Sequence, residues 1–177
     1  MTQIGIIYGS DSDLPKMLPA FEIFELFEKQ FGIKIGVETK IVSAHRTPQE
    51  VVNYATTAYE RGLRVIIAAA GGAAHLPGMI AAETALPVIG VPISSKPELA
   101  SLFSIVQMPP GIPVNTMGID ASANAALSAL QILGTADEKI YNALSAYKKS
   151  LTDRVAEKNE KLAKLGVREY LSKRMNK

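Results

Sequence analysis

The sequence predicts an α/β fold built on a parallel sheet with helices on both faces. Three observations predict it. Short apolar runs suited to buried strands recur, as in Ile4-Gly-Ile-Ile-Tyr8, Val65-Ile-Ile-Ala68 and Pro87-Val-Ile-Gly-Val91. Helix-patterned stretches alternate with them at short spacing, which is how a parallel sheet is wound. The first and second of these runs open into loops of small and polar residues, the kind that precede a helix N-terminus in such folds.

Taken in order, Ile4–Tyr8 reads as a strand and Gly9-Ser-Asp-Ser-Asp13 as a turn, with Asp13 as N-cap of a helix reaching Phe31. That helix has a broad apolar stripe from Leu18, Phe21, Ile23, Phe24, Leu26, Phe27 and Phe31, and Gly32 stops it. Residues Lys34–Val42 read as a second strand. Ser43-Ala-His-Arg-Thr-Pro48 is a loop, with Thr47 as N-cap and Pro48 at the first position of a helix running to Arg61, which Gly62 ends. The third strand, Val65–Ala70, leads through Gly71-Gly-Ala-Ala-His75 into a short helix ending at Glu83. A fourth strand spans Pro87–Val91. Ile93–Ser104 reads as a polar loop or short helix, 105–113 as an irregular proline-rich stretch, and Val114–Ile119 as a fifth strand. Ala121–Leu133 is an alanine-rich helix suited to close packing. From Asp137 to Leu165 the chain reads as one long helix or two, broken at Gly166 before a basic tail.

The fold class makes the loops informative. In open parallel sheets, ligands bind beyond the carboxyl ends of the strands. That rule gathers Gly9–Asp13, Ser43–Pro48 and Ala70–Gly78 at one rim, and the chain's two histidines, His45 and His75, lie in two of these loops. Ser10 and Ser12 offer hydroxyls beside a helix start, which suits phosphate. Asp11 and Asp13 repel phosphate, so Asp13 suits sugar hydroxyls; plain N-capping is its structural alternative. Arg46 suits bidentate phosphate binding, and His45 suits proton transfer near neutral pH. A surface His-Arg pair before a helix is the alternative there. The small residues around Gly71 and Gly72 let backbone approach a ligand, or simply pack a tight crossover. His75 is either an orienting group or a satisfied loop histidine.

Composition excludes several classes. With 177 residues, 47% hydrophobic and 20% charged, the chain suits one globular domain with a sizeable core. A net charge of +2 is too small to argue for nucleic acid. The absence of cysteine removes disulfides, thiol nucleophiles and thiolate metal sites. Two histidines without clustered carboxylates make no metal site. Neither a signal peptide nor a membrane-spanning run is present, so no membrane partner is expected and cytoplasm is the expected location. No dinucleotide GxGxxG or Walker loop occurs.

Four motifs carry a resemblance. Gly9-Ser-Asp-Ser-Asp13, Ser43-Ala-His-Arg-Thr-Pro48, Ala70-Gly-Gly-Ala-Ala-His-Leu-Pro-Gly-Met79 and Ile105-Val-Gln-Met-Pro-Pro-Gly-Ile-Pro-Val114, in this order, closely resemble class I of the phosphoribosylaminoimidazole carboxylase family. The likeness runs from Ile4 to Leu133. It implies a flavodoxin-like three-layer sandwich and a purine-biosynthetic mutase. Such an enzyme moves a carboxyl group from the exocyclic nitrogen of N5-carboxyaminoimidazole ribonucleotide to carbon-4, with no cofactor or metal. It further implies that Ser10, Ser43 and Arg46 hold the 5′-phosphate, Asp13 the ribose hydroxyls, and Gly71, Gly72 and Ala73 the migrating carboxyl group. His45 is then the general acid/base, and His75 shapes the site. Residues 1–177 are expected to form one domain, and the resemblance implies that 136–177 is a helical extension packing on a neighbouring subunit of a homo-octamer. Tyr8, a short Ile93–Phe103 segment and Gly118-Ile-Asp-Ala-Ser-Ala123 depart from the family's usual pattern. A direct carboxylase and a non-catalytic nucleotide- or flavin-binding module are the alternative readings.

Overall fold

The computed structural model describes residues 2–97 and 99–175. Five strands alternate with helices: β1 (Thr2–Tyr8), α1 (Leu14–Phe31), β2 (Gly36–Ile41), α2 (Pro48–Thr57), β3 (Val65–Gly71), α3 (Leu76–Glu83), β4 (Val88–Ile93), α4 (Ala100–Val106), β5 (Asn115–Thr116), α5 (Ser122–Gly134) and α6 (Glu138–Met175). All pairings are parallel, in the order β2-β1-β3-β4-β5. The expected α/β architecture is therefore present.

The period-2 alternation of a strand sends successive side chains to opposite faces, and the core divides accordingly. Ile4, Ile6 and Tyr8 of β1, with Val65, Ile67 and Ala69 of β3, meet α1, α5 and the start of α6. Ile7, Ile66, Ala68 and Ala70 face α2, α3 and α4. Phe27 of α1 is fully buried, and a side chain of this kind contributes about 1.5–3 kcal/mol by its burial. Ala125, Ala126 and Ala129 of α5 are also fully buried. Their small side chains let α5 lie close against α1, the close helix packing expected of that alanine-rich segment, and against the sheet.

Several boundaries differ from the expected ones, and each difference has a local cause. Asp13 does not cap α1 with its side chain. A short 3-10 turn, Asp11–Asp13, precedes α1, and Ser10 caps it in a reciprocal capping box with Asp13. Thr47 does not cap α2 either: its hydroxyl accepts from Ser43 N–H at 3.0 Å and donates to Ser43 C=O at 3.1 Å, closing the loop on itself. Helix α2 ends at Thr57 rather than Arg61, through turns leading to Gly62 at φ 94°. Strand β4 runs two residues further, to Ile93, and β5 is only two residues long. In α6, Gly166 adopts φ 69°, a kink where the sequence predicts a break.

Candidate active site

The strand order positions the site. From β1 the sheet extends to β2 on one side and to β3 on the other, so crossovers leave in opposite directions and a crevice opens above β1 and β3. Tyr8 pairs with both Ile41 and Ala69, and Gly71 pairs with Ile93, so the loops after β1, β2, β3 and β4 emerge at one rim. The backbone N–H of Gly9 donates to Ala69 C=O at 3.0 Å and stitches two of them together.

Between these loops lies a pocket of about 580 Å³, in the range of small-molecule sites. Ser10, Asp13, Ser43, His45, Arg46, Gly71 and Gly72 line it, joined by Ser94 and Ser95. Seven of the nine residues singled out from the sequence thus share one cavity. Ala73 is solvent-exposed and stands outside the lining. His75 is outside it too, but its Nδ1 lies 2.9 Å from His45 Nε2. A larger groove of about 1010 Å³ lies elsewhere, between α5 and α6, lined by Tyr141, Leu144 and Lys148 among others. The smaller pocket is the chemical candidate because the imidazoles, the arginine and the strand ends converge there.

The local geometry pre-arranges each group. Ser43 Oγ accepts from Arg46 N–H at 3.2 Å and from Arg46 Nε at 3.3 Å, so one hydroxyl fixes the root of the arginine side chain. The exposed guanidinium retains donors for an incoming anion. Asp13 is buried and accepts from Ser10 N–H at 3.0 Å. Burial pushes its carboxyl above the ordinary carboxylate range, against the lowering effect of the Ser10 and Gly9 N–H groups and with a small upward push from Asp11. Gly72 sits at φ 61°, where a side chain is disfavoured, and donates its N–H to Ser95 Oγ at 3.0 Å.

The histidine pair has a simple chemical consequence. Of two neutral imidazoles 2.9 Å apart, one donates and the other accepts. When His45 Nε2 carries the proton, its Nδ1 is an acceptor. When His75 Nδ1 carries it, His45 Nδ1 is a donor. Reversing this hydrogen bond, with a proton gained at His45 Nδ1 and one lost at His75 Nε2, converts His45 from base to acid.

Residues 3–154 match the family model described as AIR carboxylase. The chain belongs to this family. A curated relative from Pyrococcus abyssi, named N5-carboxyaminoimidazole ribonucleotide mutase, is 55% identical over 173 residues, covering 97% of this chain and 96% of that protein. A Schizosaccharomyces pombe protein named phosphoribosylaminoimidazole carboxylase is 52% identical over 169 residues, covering 94% of this chain but 30% of that longer protein. Among solved structures, Treponema denticola PurE superposes with a TM-score of 0.78 at 28% identity, covering 92% of this chain and 99% of that one.

Some site residues escape sequence reasoning. Ser94 and Ser95 follow β4 in a stretch without a glycine signature, and the expected end of β4 at Val91 left them beyond the strand. Asp120, 26 residues from Ser94, accepts its backbone N–H at 2.8 Å and also meets Lys16 Nζ at 2.9 Å. Only its left-handed backbone, φ 56°, marks it as unusual, and no sequence pattern announces that.

Proposed function

We propose that this chain is an N5-carboxyaminoimidazole ribonucleotide mutase of purine biosynthesis. The observation that carries the reading is His45, hydrogen-bonded to His75 and lining the same pocket as Arg46 and the Gly71-Gly72 loop. An anion-binding arginine, an acid/base pair and a backbone-lined recess are the three elements that a carboxyl shift on a ribonucleotide requires.

Arg46 and Ser43, with Ser10, grip the 5′-phosphate, and Asp13 accepts from ribose hydroxyls. The carbamate C–N bond then breaks. Carbon dioxide is released, and the electron pair left on the exocyclic nitrogen takes a proton. Carbon-4 attacks the carbon dioxide held against Gly71 and Gly72, forming the C–C bond, and its proton must leave. One proton is consumed at nitrogen and one is released at carbon-4, so His45 can give its proton as acid and take one back as base, while the exposed His75 reverses their shared hydrogen bond by gaining and then losing a proton at its Nε2 in exchange with solvent. Confinement makes recapture effectively intramolecular. His45 and His75 are thus the catalytic pair, and no residue in this sequence of steps requires a cofactor.

Similarity to the Schizosaccharomyces pombe carboxylase favours a second reading, direct carboxylation of aminoimidazole ribonucleotide. Substrate labelled in the carbamate, supplied in unlabelled bicarbonate buffer and sampled early, separates the two. A mutase leaves most of the label on carbon-4. A carboxylase incorporates carbon from solvent, and that result overturns the proposal.

The working form is a homo-oligomer, the octamer implied by the family resemblance, acting in the cytoplasm. Support comes from α6, which carries Tyr141, Val155, Val167 and Leu171 exposed along an extension that the rest of the subunit does not cover. Light scattering returning a mass near 19.0 kDa overturns it.

A further inference from the structure

The loop that closes the carboxyl side of the pocket is held from outside the site. Ser94 and Ser95 leave β4 at the rim and line the cavity. Ser95 Oγ accepts the N–H of Gly72 at 3.0 Å. A hydroxyl that accepts in this way keeps its own proton for donation, so Ser95 can present an O–H beside the Gly71-Gly72 recess. What fixes this loop is Asp120. One carboxylate oxygen accepts Ser94 N–H at 2.8 Å, and the other meets Lys16 Nζ at 2.9 Å. The backbone of the same residue donates to Pro92 C=O at 2.9 Å.

The anchor reaches the first helix as well. Ser122 is fully buried, and its hydroxyl donates to Lys16 C=O at 2.7 Å. Asp120 therefore ties the first turns of α1, which follow the Ser10–Asp13 loop, to the end of β4. Its φ of 56° is uncommon for a non-glycine residue, and the contacts of its carboxylate and of its backbone N–H surround the turn. Partial burial raises its pKa, but the Ser94 N–H and Lys16 outweigh that and hold the carboxyl below the ordinary range, so it is ionised at neutral pH.

We propose that Asp120 is a positioning residue which, braced by Lys16, fixes Ser94 so that the Ser95 hydroxyl seated on Gly72 walls in the migrating carboxyl group. This rests on the mutase reading above. The expected consequence of losing Asp120 is leakage of carbon dioxide rather than failure to bind nucleotide, because no hydrogen bond or ion pair among the described residues joins it to Ser10, Asp13, Ser43 or Arg46.

Asp120→Gly is the informative variant, since glycine keeps the left-handed turn and removes only the carboxylate. Carbamate-labelled substrate should give product diluted toward solvent carbon, with kcat lower by about tenfold or more and KM within about twofold. Asp120→Asn tolerates the same backbone and can still accept from Ser94 N–H, so it should restore most of the label retention. Ser95→Ala should reproduce the leak, and the double variant Asp120→Gly/Ser95→Ala should be no worse than the worse single one, because both act through one hydroxyl. A role confined to stability would lower the melting temperature and leave label retention unchanged. Full retention in Asp120→Gly overturns the proposal, as does full retention in Ser95→Ala should Asp120→Gly not fold. Amide exchange of Ser94 and Gly72 gives a readout without substrate. If the wild-type chain itself uses only solvent carbon, the mutase reading fails, and unaltered exchange in Asp120→Gly would then separately overturn the clamp.

Discussion

Removing the Arg46 guanidinium should weaken nucleotide binding through the phosphate and through nothing else. Arg46 lies on the loop after β2, exposed, with its Nε held 3.3 Å from Ser43 Oγ. No carboxylate within ion-pair distance is assigned to it among the described residues, so its charge is available to a ligand. A hydrogen bond to a charged group contributes about 1.5–3 kcal/mol net, and RT of about 0.59 kcal/mol converts this to roughly a 10- to 150-fold rise in Kd. Titration calorimetry should compare wild type and Arg46→Ala with aminoimidazole ribonucleotide and with the corresponding riboside. The nucleotide should lose affinity by that factor, and the riboside should change little. The difference between the two losses is the arginine–phosphate coupling. Arg46→Lys should fall between, because lysine keeps the charge but not the planar fork. Raising ionic strength should narrow the gap, since exposed charges are screened over about 8 Å at 0.15 M salt. Equal losses for nucleotide and riboside would refute the reasoning, because the arginine would then be acting on the loop rather than on the phosphate.

Three further outcomes are expected. His45→Asn should lower kcat by about 10²–10⁴-fold while leaving the nucleotide Kd within a few-fold, and near-normal turnover would remove His45 from the proton path. Asp13→Asn should weaken ligand binding yet leave the free protein as stable at neutral pH, or more so. A carboxyl raised by burial stabilises the fold fully only below its unfolded value near 3.9, and that contribution is lost as pH rises through the folded value. The amide removes this loss and can still accept from Ser10 N–H, so the stability difference from wild type should open as pH rises from about 4; a lower melting temperature at pH 7 contradicts this. Gly90→Ala would place a Cβ 2.5 Å from Ile105 Cγ2 and 2.9 Å from Val114 Cγ1, under α4. Overpacking of this kind costs about 1–3 kcal/mol, a fall of about 3–10 °C in melting temperature that thermal unfolding would detect.

What the sequence determined by itself is local. Apolar runs such as Val65–Ala70 identify strands because burial on both faces demands continuous hydrophobicity, and alternation with helices requires a parallel sheet. The parallel arrangement in turn sends the Ser10, Ser43–Arg46 and Gly71–Gly72 loops to one rim, so most of the pocket is legible in the sequence. Helix ends are less legible. Asp13 and Thr47 have the chemistry of N-caps, but Asp13 turns back to Ser10 and Thr47 to Ser43, because a hydroxyl or carboxylate takes whichever N–H the local turn presents.

Only the tertiary structure decided which side chains meet. His45 and His75 are separated by 30 residues, and their 2.9 Å contact depends on the register between β1, β2 and β3. Ala73 belongs to the same glycine loop as Gly72, which has φ 61°, yet it is exposed and stands outside the cavity lining. Asp120 and Lys16 are more than a hundred residues apart and carry no motif; packing of α5 against α1 brings them together. Sequence periodicity records what a segment buries. Contacts between loops depend on how whole elements are stacked, and that information is spread over the core rather than written at the residues that touch.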